Sequence, residues 1–481
     1  MNGKSYVLGC SLVAALGGLL FGFDTAVISG TTDALKTQFD LSPTGLGFAV
    51  ASALIGTVIG SIIVGKPADW WGRRKVMFVL AVFYFVSALG SAMAWDIYSF
   101  LVFRLIGGLA VGGASVVAPM YIAEISPAHK RGRLVALAQF NIVFGILLAF
   151  ASNYAVSQVG QGIAASAESA ETAYREWYLN VGWRWMFGVE AIPAAAYFLL
   201  LFITPPSPRW LVAKGREDEA RAVLTRLGTD LEGESVEVEL AEIKRSIDLE
   251  HHSLAEPFFR RKYMKPIMLA FAIAAFNQLS GINAILYYAP TIFKSAGFGE
   301  QAGLLNSVGL GLMNLVFTIL GLALIDHFGR KRLMLVGSIG YILSLGAAAV
   351  TFFMMSELVE NEAGDMVRQF TSSTGGWIVF MSLLVFIASH AVGQGAVIWV
   401  FISEIFPNRV RARGQALGSF THWIFAAVIS QTFPMIADAS GGYVFAFYGL
   451  CMVGQLFWVV LLMPETKGVP LEQIQKKLGI E

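Results

Sequence analysis

The sequence predicts an all-α membrane protein of 12 transmembrane helices, arranged as two pseudo-symmetric six-helix bundles with a cytoplasmic helical linker. Three observations lead there. Of 481 residues, 56% are hydrophobic and only 14% charged, a balance foreign to soluble domains of this length. The apolar residues fall in continuous runs of about 20, the length that crosses a bilayer core. Charged motifs in the first half also recur at matching positions of the second, as duplication would leave them.

Twelve apolar segments can be placed, at 6–29, 45–65, 76–95, 98–120, 134–157, 183–203, 264–293, 301–325, 333–355, 376–402, 412–436 and 443–463. The short connections between segments two and three, four and five, eight and nine, and ten and eleven are basic. With both termini inside, every Lys and Arg is cytoplasmic except Lys36, Arg175, Arg184, Lys294, Arg368 and the membrane-embedded Arg104, which is the positive-inside pattern. The first run is too long for a signal-peptide core, so it is expected to remain as a helix. The division that follows is 1–203 for the N-terminal bundle, 204–263 for the linker, 264–463 for the C-terminal bundle and 464–481 for a cytoplasmic tail.

Composition also excludes. A net charge of +1 with no basic tract argues against a nucleic-acid partner. Cys10 and Cys451 sit in distant apolar segments and read as buried thiols, with no disulfide or metal implied. Gly3-Lys4-Ser5 lacks the upstream Gly of a phosphate-binding loop, and no nucleophile or metal constellation is visible, so neither an enzyme nor a cofactor is expected.

Segment one is Gly-rich, with Gly17, Gly18 and Gly22, and carries Asp24. Segment four carries Arg104, then Gly107, Gly108, Gly112 and Gly113, whose spacing permits close helix approach. Segment six holds Glu190. Two acids and one base inside a membrane half read as a proton relay with its counter-charge, the competing reading being a static buried pair or acids at helix ends. After segment six, Pro-Pro-Ser-Pro-Arg-Trp opens the linker. Two amphipathic patterns follow, near 217–227 and 236–249, forming a helical cap too short to be a domain; the acidic residues 230–242 read as a solvated face.

Segment seven is the most polar. Phe276 to Pro290 carries Asn277, Gln278, Ser280, Asn283, Tyr287 and Tyr288 within an apolar run. Amides and phenols in lipid are costly without partners, so the cluster should face protein or a wet cavity. At helical spacing Asn277, Gly281 and Tyr288 share a stripe, with Asn283 and Tyr287 beside it. Ser280-Gly281 and Pro290 are points where the helix can unwind. Interhelical hydrogen bonding alone would explain such residues, but donors, acceptors and aromatic faces together suit a polyhydroxylated ligand.

The halves echo each other. Asp69-x2-Gly72-Arg73-Arg74 follows segment two, and Asp326-x2-Gly329-Arg330-Lys331 follows segment eight. Glu124 stands seven before Arg131, and Glu404 seven before Arg411. Pro-Pro-Ser-Pro-Arg after segment six parallels Pro464-Glu465-Thr466-Lys467-Gly468 after segment twelve.

With Pro119-x-Tyr121-x2-Glu124, Gln278-x4-Asn283 and Ser403-Glu404-Ile405-Phe406-Pro407, these motifs resemble the sugar porter family of the major facilitator superfamily from end to end. The resemblance is to bacterial proton-coupled symporters of the D-xylose type, and also to facilitative glucose transporters. It implies the major facilitator fold and a central monosaccharide site. Gln139 would line it from the first half, with Gln278, Asn283, Tyr288, Asn314, Trp399 and Trp423 from the second; Asn277, Tyr287 and His422 join as neighbours. Asp69, Arg73, Arg74, Glu124, Arg131, Asp326, Arg330, Glu404 and Arg411 would pair as cytoplasmic gates. Asp24 would take the coupling proton against Arg104, with Glu190 sharing or passing it.

Three positions depart from the family pattern. Asn277-Gln278 stands where a Gln pair is common. Gly395-Ala396-Val397-Ile398-Trp399 lacks a usual Pro, which puts the pliability of segment ten in question. His422 replaces an amide, and is expected to contact sugar or serve as a satisfied polar residue ahead of carrying the proton.

The expected function is import of a monosaccharide with protons by alternating access. It would take place in a bacterial inner membrane, by a monomer with the lipid bilayer as its surroundings. A facilitative uniporter is the alternative, disfavoured by the acid at Asp24. A sugar receptor without flux would be expected to carry a longer tail.

Overall fold

The computed structural model describes residues 3–127, 129–228, 235–253, 257–360, 366–370, 372–407 and 409–480. Among them, 12 helices are long and apolar enough to cross a membrane. Spans 1 to 6 are Ser5–Gly30, Pro43–Ile63, Arg73–Ala92, Ile97–Ile125, Arg131–Ala164 and Ala170–Ile203. Spans 7 to 12 are Arg261–Tyr287, Glu300–Phe328, Arg330–Met355, Ser373–Ile405, Arg411–Ala439 and Gly441–Leu461. Each lies on one of the apolar runs, and several run past it because good helix formers continue the backbone bonding into the polar flanks. Span 4 starts on a capping box in which Asp96 accepts from Ser99 N at 2.7 Å. Ile62, Leu343, Met354, Leu450 and Leu461 are exposed, as apolar side chains meeting lipid would be.

The chain forms two compact units, and their boundaries cut across the spans. The first comprises Met1–Asp24, Ile55–Gly145 and Phe187–Pro257. Here spans 2 and 4 run backbone to backbone: a Cβ on Gly56 would strike the carbonyl of Leu105, and one on Gly112 that of Thr57. The linker as far as Pro257 belongs to this unit. Ser207 caps the helix Pro208–Ala213 by accepting from Trp210 N at 3.2 Å, followed by helices Glu217–Leu227 and Val236–Ser253. Trp210, Leu211, Leu224 and Leu240 pack as their own small core. The Trp210 indole then donates to the Asp69 carbonyl at 3.0 Å and docks the linker on the turn after span 2. Of the acidic stretch 230–242, residues 230–234 lie outside the described residues.

The second unit comprises Thr25–Leu54, Ile146–Met186 and Phe258–Glu481. Span 7 breaks where the sequence suggests: one helix stops at Leu279, another runs Ile282–Tyr287, and a third, Ala289–Ser295, follows Tyr288. Gly281 makes the break possible. Its φ is +84°, a left-handed value, and a Cβ there would enter the Tyr448 ring. Two features depart from the expected regular helices. Ser356–Glu360 pairs antiparallel with Met366–Phe370, so the connection between spans 9 and 10 is a small hairpin; it satisfies backbone groups locally where the chain leaves the apolar zone. Span 10 contains a π-helical turn at Ala391–Gly395. The helix is therefore irregular without the missing Pro, because a π turn leaves its own gap in the bonding ladder.

Gly281→Ala combines backbone strain with overlap on Tyr448, and is expected to destabilise the protein by roughly 1–3 kcal/mol. Gly132→Ala, at a site with nothing within 4 Å, should leave the melting temperature unchanged. Thermal unfolding of the two variants in detergent checks both.

Candidate functional site

The break in span 7 places three amides side by side. Gln278 Nε2 donates to Asn277 Oδ1 at 3.0 Å, and Asn283 Nδ2 donates to Gln278 Oε1 at 3.0 Å. The same Gln278 amine lies 3.2 Å from His422 Nδ1 and 3.1 Å from its Nε2. Whichever ring nitrogen accepts that bond must lack a proton, so a neutral His422 carries its proton on the other and can donate elsewhere. Asn277 and Gln278 are buried, whereas Asn283, His422 and Trp399 are half-buried. The fixed inner amides thus orient outer groups that keep free donors and acceptors. His422 is flanked by Trp399 at 5.4 Å and by Trp423 at 4.8 Å between ring centroids. Polar edges and indole faces converge on one place.

Asn314, on span 8, is buried and accepts from Thr318 Oγ1 at 3.5 Å. Tyr287 is buried at the end of the short helix. Tyr288 is committed to packing: its hydroxyl donates to the Ser430 carbonyl at 3.0 Å, and its ring stacks on Phe433 at 4.6 Å. Gln139 belongs to the first unit and is half-buried on span 5.

In the first unit, Arg104 Nη1 meets Asp24 Oδ1 at 2.7 Å and Nη2 donates to the Asp24 carbonyl at 3.0 Å. Both side chains are essentially inaccessible, at 2% and 0%, and the guanidinium lies 5.3 Å from the Phe187 ring. Glu190, 1% exposed, offers two carboxylate oxygens that meet no donor among the described residues. The arrangement therefore holds one acid paired with Arg104 and a second whose oxygens meet no hydrogen-bond donor among the described residues.

The basic motifs build two matching latches. Gly72 and Gly329 start spans 3 and 9 with φ of +89° and +88°. Arg73 reaches Glu124 at 3.0 Å, Asp69 at 3.1 Å and the Ala68 carbonyl at 3.0 Å. Arg330 repeats this on Glu404 at 2.7 Å, Asp326 at 3.2 Å and the Ile325 carbonyl at 3.2 Å. The anticipated pairing of Glu124 with Arg131 and of Glu404 with Arg411 is corrected: the acids meet Arg73 and Arg330, which come from a neighbouring helix end. Arg74 binds no acid in this set; it donates to the carbonyls of Leu201 and Phe202, where a cation complements a helix C-terminus.

Glu465 completes the second latch alone. It accepts from the backbone N–H groups of Arg330, Lys331, Thr466 and Lys467, each at 3.0 Å. Burial pushes its carboxyl upward, but these four donors outweigh it and hold the group below the usual Glu range. Its stabilising contribution is therefore complete above the ordinary Glu value of about 4.3 and fades as pH falls through the lower folded value.

At the other end of the spans, Lys294 Nζ meets Asp33 Oδ2 at 2.7 Å and the hydroxyls of Thr32 and Thr291 lie 3.0 Å apart. Gln431 also donates to the Thr44 carbonyl at 3.0 Å. Ser29, Tyr178, Pro290 and Glu300 line a small polar cavity beside them. These contacts went unnoticed in the sequence, as did a buried chain through spans 9, 10 and 12. In that chain Tyr341 lies 2.7 Å from His390 Nδ1 and 3.3 Å from Gln394, Gln394 meets Gln455, and Gln455 donates to Ser338 at 3.0 Å. The signal was available, since His390 and Gln394 are polar residues four apart in an apolar run.

Two outcomes test this geometry. Glu465→Gln should lower the melting temperature at pH 7, and the difference from the parent protein should shrink as pH falls below the ordinary Glu range and through the lower folded value. Cysteines in place of both Thr32 and Thr291 should form a disulfide on mild oxidation, read as loss of titratable thiols.

Comparison with known proteins now bears on these sites. The family description "Sugar (and other) transporter" matches residues 10–478. The D-xylose-proton symporter of Escherichia coli K12 is 35% identical, with 98% of this chain and 96% of that protein aligned. The arabinose-proton symporter of Bacillus subtilis is 35% identical over 99% and 96% of the two chains, and the glucose transport protein of Synechocystis is 37% identical over 98% and 97%. The inward-open structure of the E. coli xylose transporter XylE superposes with a TM-score of 0.80 at 34% identity, covering 98% and 99% of the two chains.

Proposed function

We propose, from the premise that this chain belongs to the sugar transporter family, that it imports a monosaccharide together with protons across a bacterial inner membrane. The observation that carries the reading is the hydrogen-bonded set Asn277, Gln278, Asn283 and His422 flanked by Trp399 and Trp423. Amides and a neutral imidazole donate and accept at once, as vicinal hydroxyls require, and an indole covers the C–H face of a sugar ring. Relatives named for D-xylose, arabinose and glucose support a pentose or hexose. Gln139 and Asn314 complete the site in this reading.

Proton coupling rests on Asp24, Arg104 and Glu190. Protonation of Asp24 would remove its attraction for Arg104 and free the pair to separate, which gives the sugar and the proton a shared switch. The halves 1–203 and 264–463 would rock about the sugar while the linker 204–263 and the tail stay on the cytoplasmic side. The latches at Arg73 and Arg330 close the inner face and the Asp33–Lys294 contact closes the outer face. The protein works as a monomer in the bilayer, with both termini inside.

The test is uptake of labelled sugars into proteoliposomes with and without an inward proton gradient. Accumulation above equilibrium only with the gradient is expected; equilibration indifferent to it would make the protein a uniporter. Asp24→Asn should keep sugar exchange and lose accumulation. Gln278→Ala should raise the KM about ten- to a hundredfold, since it strands Asn283 and His422 as well as removing an amide.

A further inference from the structure

The proton pair stands at one end of a longer polar column that the proposed mechanism does not use. Tyr84, Ser87 and Ser91 share one face of span 3 and are buried to 1% exposure or less. Asp24 and Gly17 lie seven apart on span 1, and Glu190 and Tyr197 seven apart on span 6, so each pair spans two turns, about 10 Å. The levels match. A Cβ on Gly107 would strike Ser87 Oγ and come within 3.1 Å of Asp24 Oδ1, which puts that serine opposite the carboxylate. Two turns along, Tyr84 donates to the Gly17 carbonyl at 3.4 Å, and a Cβ on Gly17 would lie 3.1 Å from the Tyr197 hydroxyl.

Along this column Asp24 Oδ2, Arg104 Nε, both Glu190 oxygens, Ser87 Oγ, Ser91 Oγ and the Tyr197 hydroxyl are buried and meet no hydrogen-bond partner among the described residues. Buried polar atoms seldom stay so, and such groups commonly hold ordered water. The duplicated half supplies an internal comparison. Aligning Arg73 with Arg330 sets Ser87 on Ser344 and Tyr84 on Tyr341. Ser344 turns back to its own helix, donating to the Gly340 carbonyl at 2.7 Å, whereas Ser87 faces the acid. One turn further along the same faces, Val13, Leu80 and Leu201 belong to a single apolar cluster, so the column ends in a dry plug.

We propose that Ser87, Tyr84 and Tyr197 order a short chain of water between the Asp24–Glu190 level and this plug, and that the chain carries the coupling proton. The inference rests on the symport reading above. In the step, the carboxylic O–H of Glu190 or Asp24 breaks, an O–H forms on the adjacent water, and the carboxylate keeps the electron pair. The last water of the chain gives its excess proton to cytoplasmic water once the pair opens and the plug parts. Each hydroxyl accepts one hydrogen and passes on another, with no net change. The groups facing the chain are Asp24 from span 1, Tyr84 from span 3, Arg104 from span 4, and Glu190 with Tyr197 from span 6. The plug stops protons from running through while the pair is closed, as coupling without leak demands. Ser87, Tyr84 and Tyr197 are positioning residues: they touch the proton's path and leave the sugar site alone.

The test uses the full chain in proteoliposomes with labelled D-xylose and D-glucose. Ser87→Ala, Tyr84→Phe and Tyr197→Phe each remove only a hydroxyl. Counterflow at equal pH should stay within about twofold, while gradient-driven accumulation falls about three- to tenfold and the pH profile of uptake shifts, the size expected when one buried hydrogen bond is lost. Ser344→Ala at the matched position should change neither. An unchanged pH profile and accumulation in the Ser87→Ala/Tyr197→Phe double variant would overturn the proposal, as would an equal loss in Ser344→Ala. If the parent protein shows no gradient-driven accumulation, the symport reading falls and this inference with it.

Discussion

A polar group inside an apolar span must find a partner, and most of the specific structure in this protein follows from that constraint. Arg104 is tolerated because Asp24 supplies both a carboxylate at 2.7 Å and a carbonyl at 3.0 Å. The amides of span 7 are tolerated because they bond each other and His422. Where a helix breaks at Gly281 or swells at Ala391–Gly395, released backbone groups lie within protein and away from lipid. Residues left incompletely partnered are then the informative ones. Glu190 is of this kind, its two carboxylate oxygens meeting no donor among the described residues, and under the proposed function the sugar and the proton supply such missing contacts.

Much of this was legible in the sequence. Apolar runs located every span, and Ser280-Gly281 marked the break in span 7. The linker helix Glu217–Leu227 matched its amphipathic pattern. What could not be read was the register between helices. Spacing along the chain suggested Glu124 with Arg131, but Arg73 arrives from another helix end and takes the carboxylate. Arg74 shared a motif with Asp69, yet it donates to the carbonyls of Leu201 and Phe202. The loss of Pro before Trp399 was visible, whereas its replacement by a π turn was not, since a π turn has no side-chain signature. The chain from His390 to Ser338 escaped because its members are scattered over three runs, and only His390 and Gln394, four apart in one run, left a local signal.

The duplicated latches show how two copies of a device can diverge. Arg73 and Arg330 make the same kinds of contact, and Lys331 reaches the Val460 carbonyl at 3.0 Å as Arg74 reaches Phe202. Their completion differs. In the second half Glu465 gathers two backbone donors from the start of span 9 and two from its own loop. In the first half Pro206 stands at the matching place, and Trp210 covers Gly72 instead, bonding the Asp69 carbonyl. One latch is closed by charge and the other by an aromatic from the linker.

The ion pairs also differ in what surrounds them. Lys294 and Asp33 keep 55% and 32% of their side-chain surface exposed, whereas Asp24 and Arg104 keep almost none. Mobile ions screen the first pair, with a Debye length of about 8 Å at physiological ionic strength, and scarcely reach the second. An exposed pair contributes about 0–1 kcal/mol, so dissolved salt can weaken the Asp33–Lys294 contact by no more than about fivefold. Under the proposed function, the salinity of the medium therefore modulates the exposed Asp33–Lys294 contact and leaves the buried Asp24–Arg104 pair untouched.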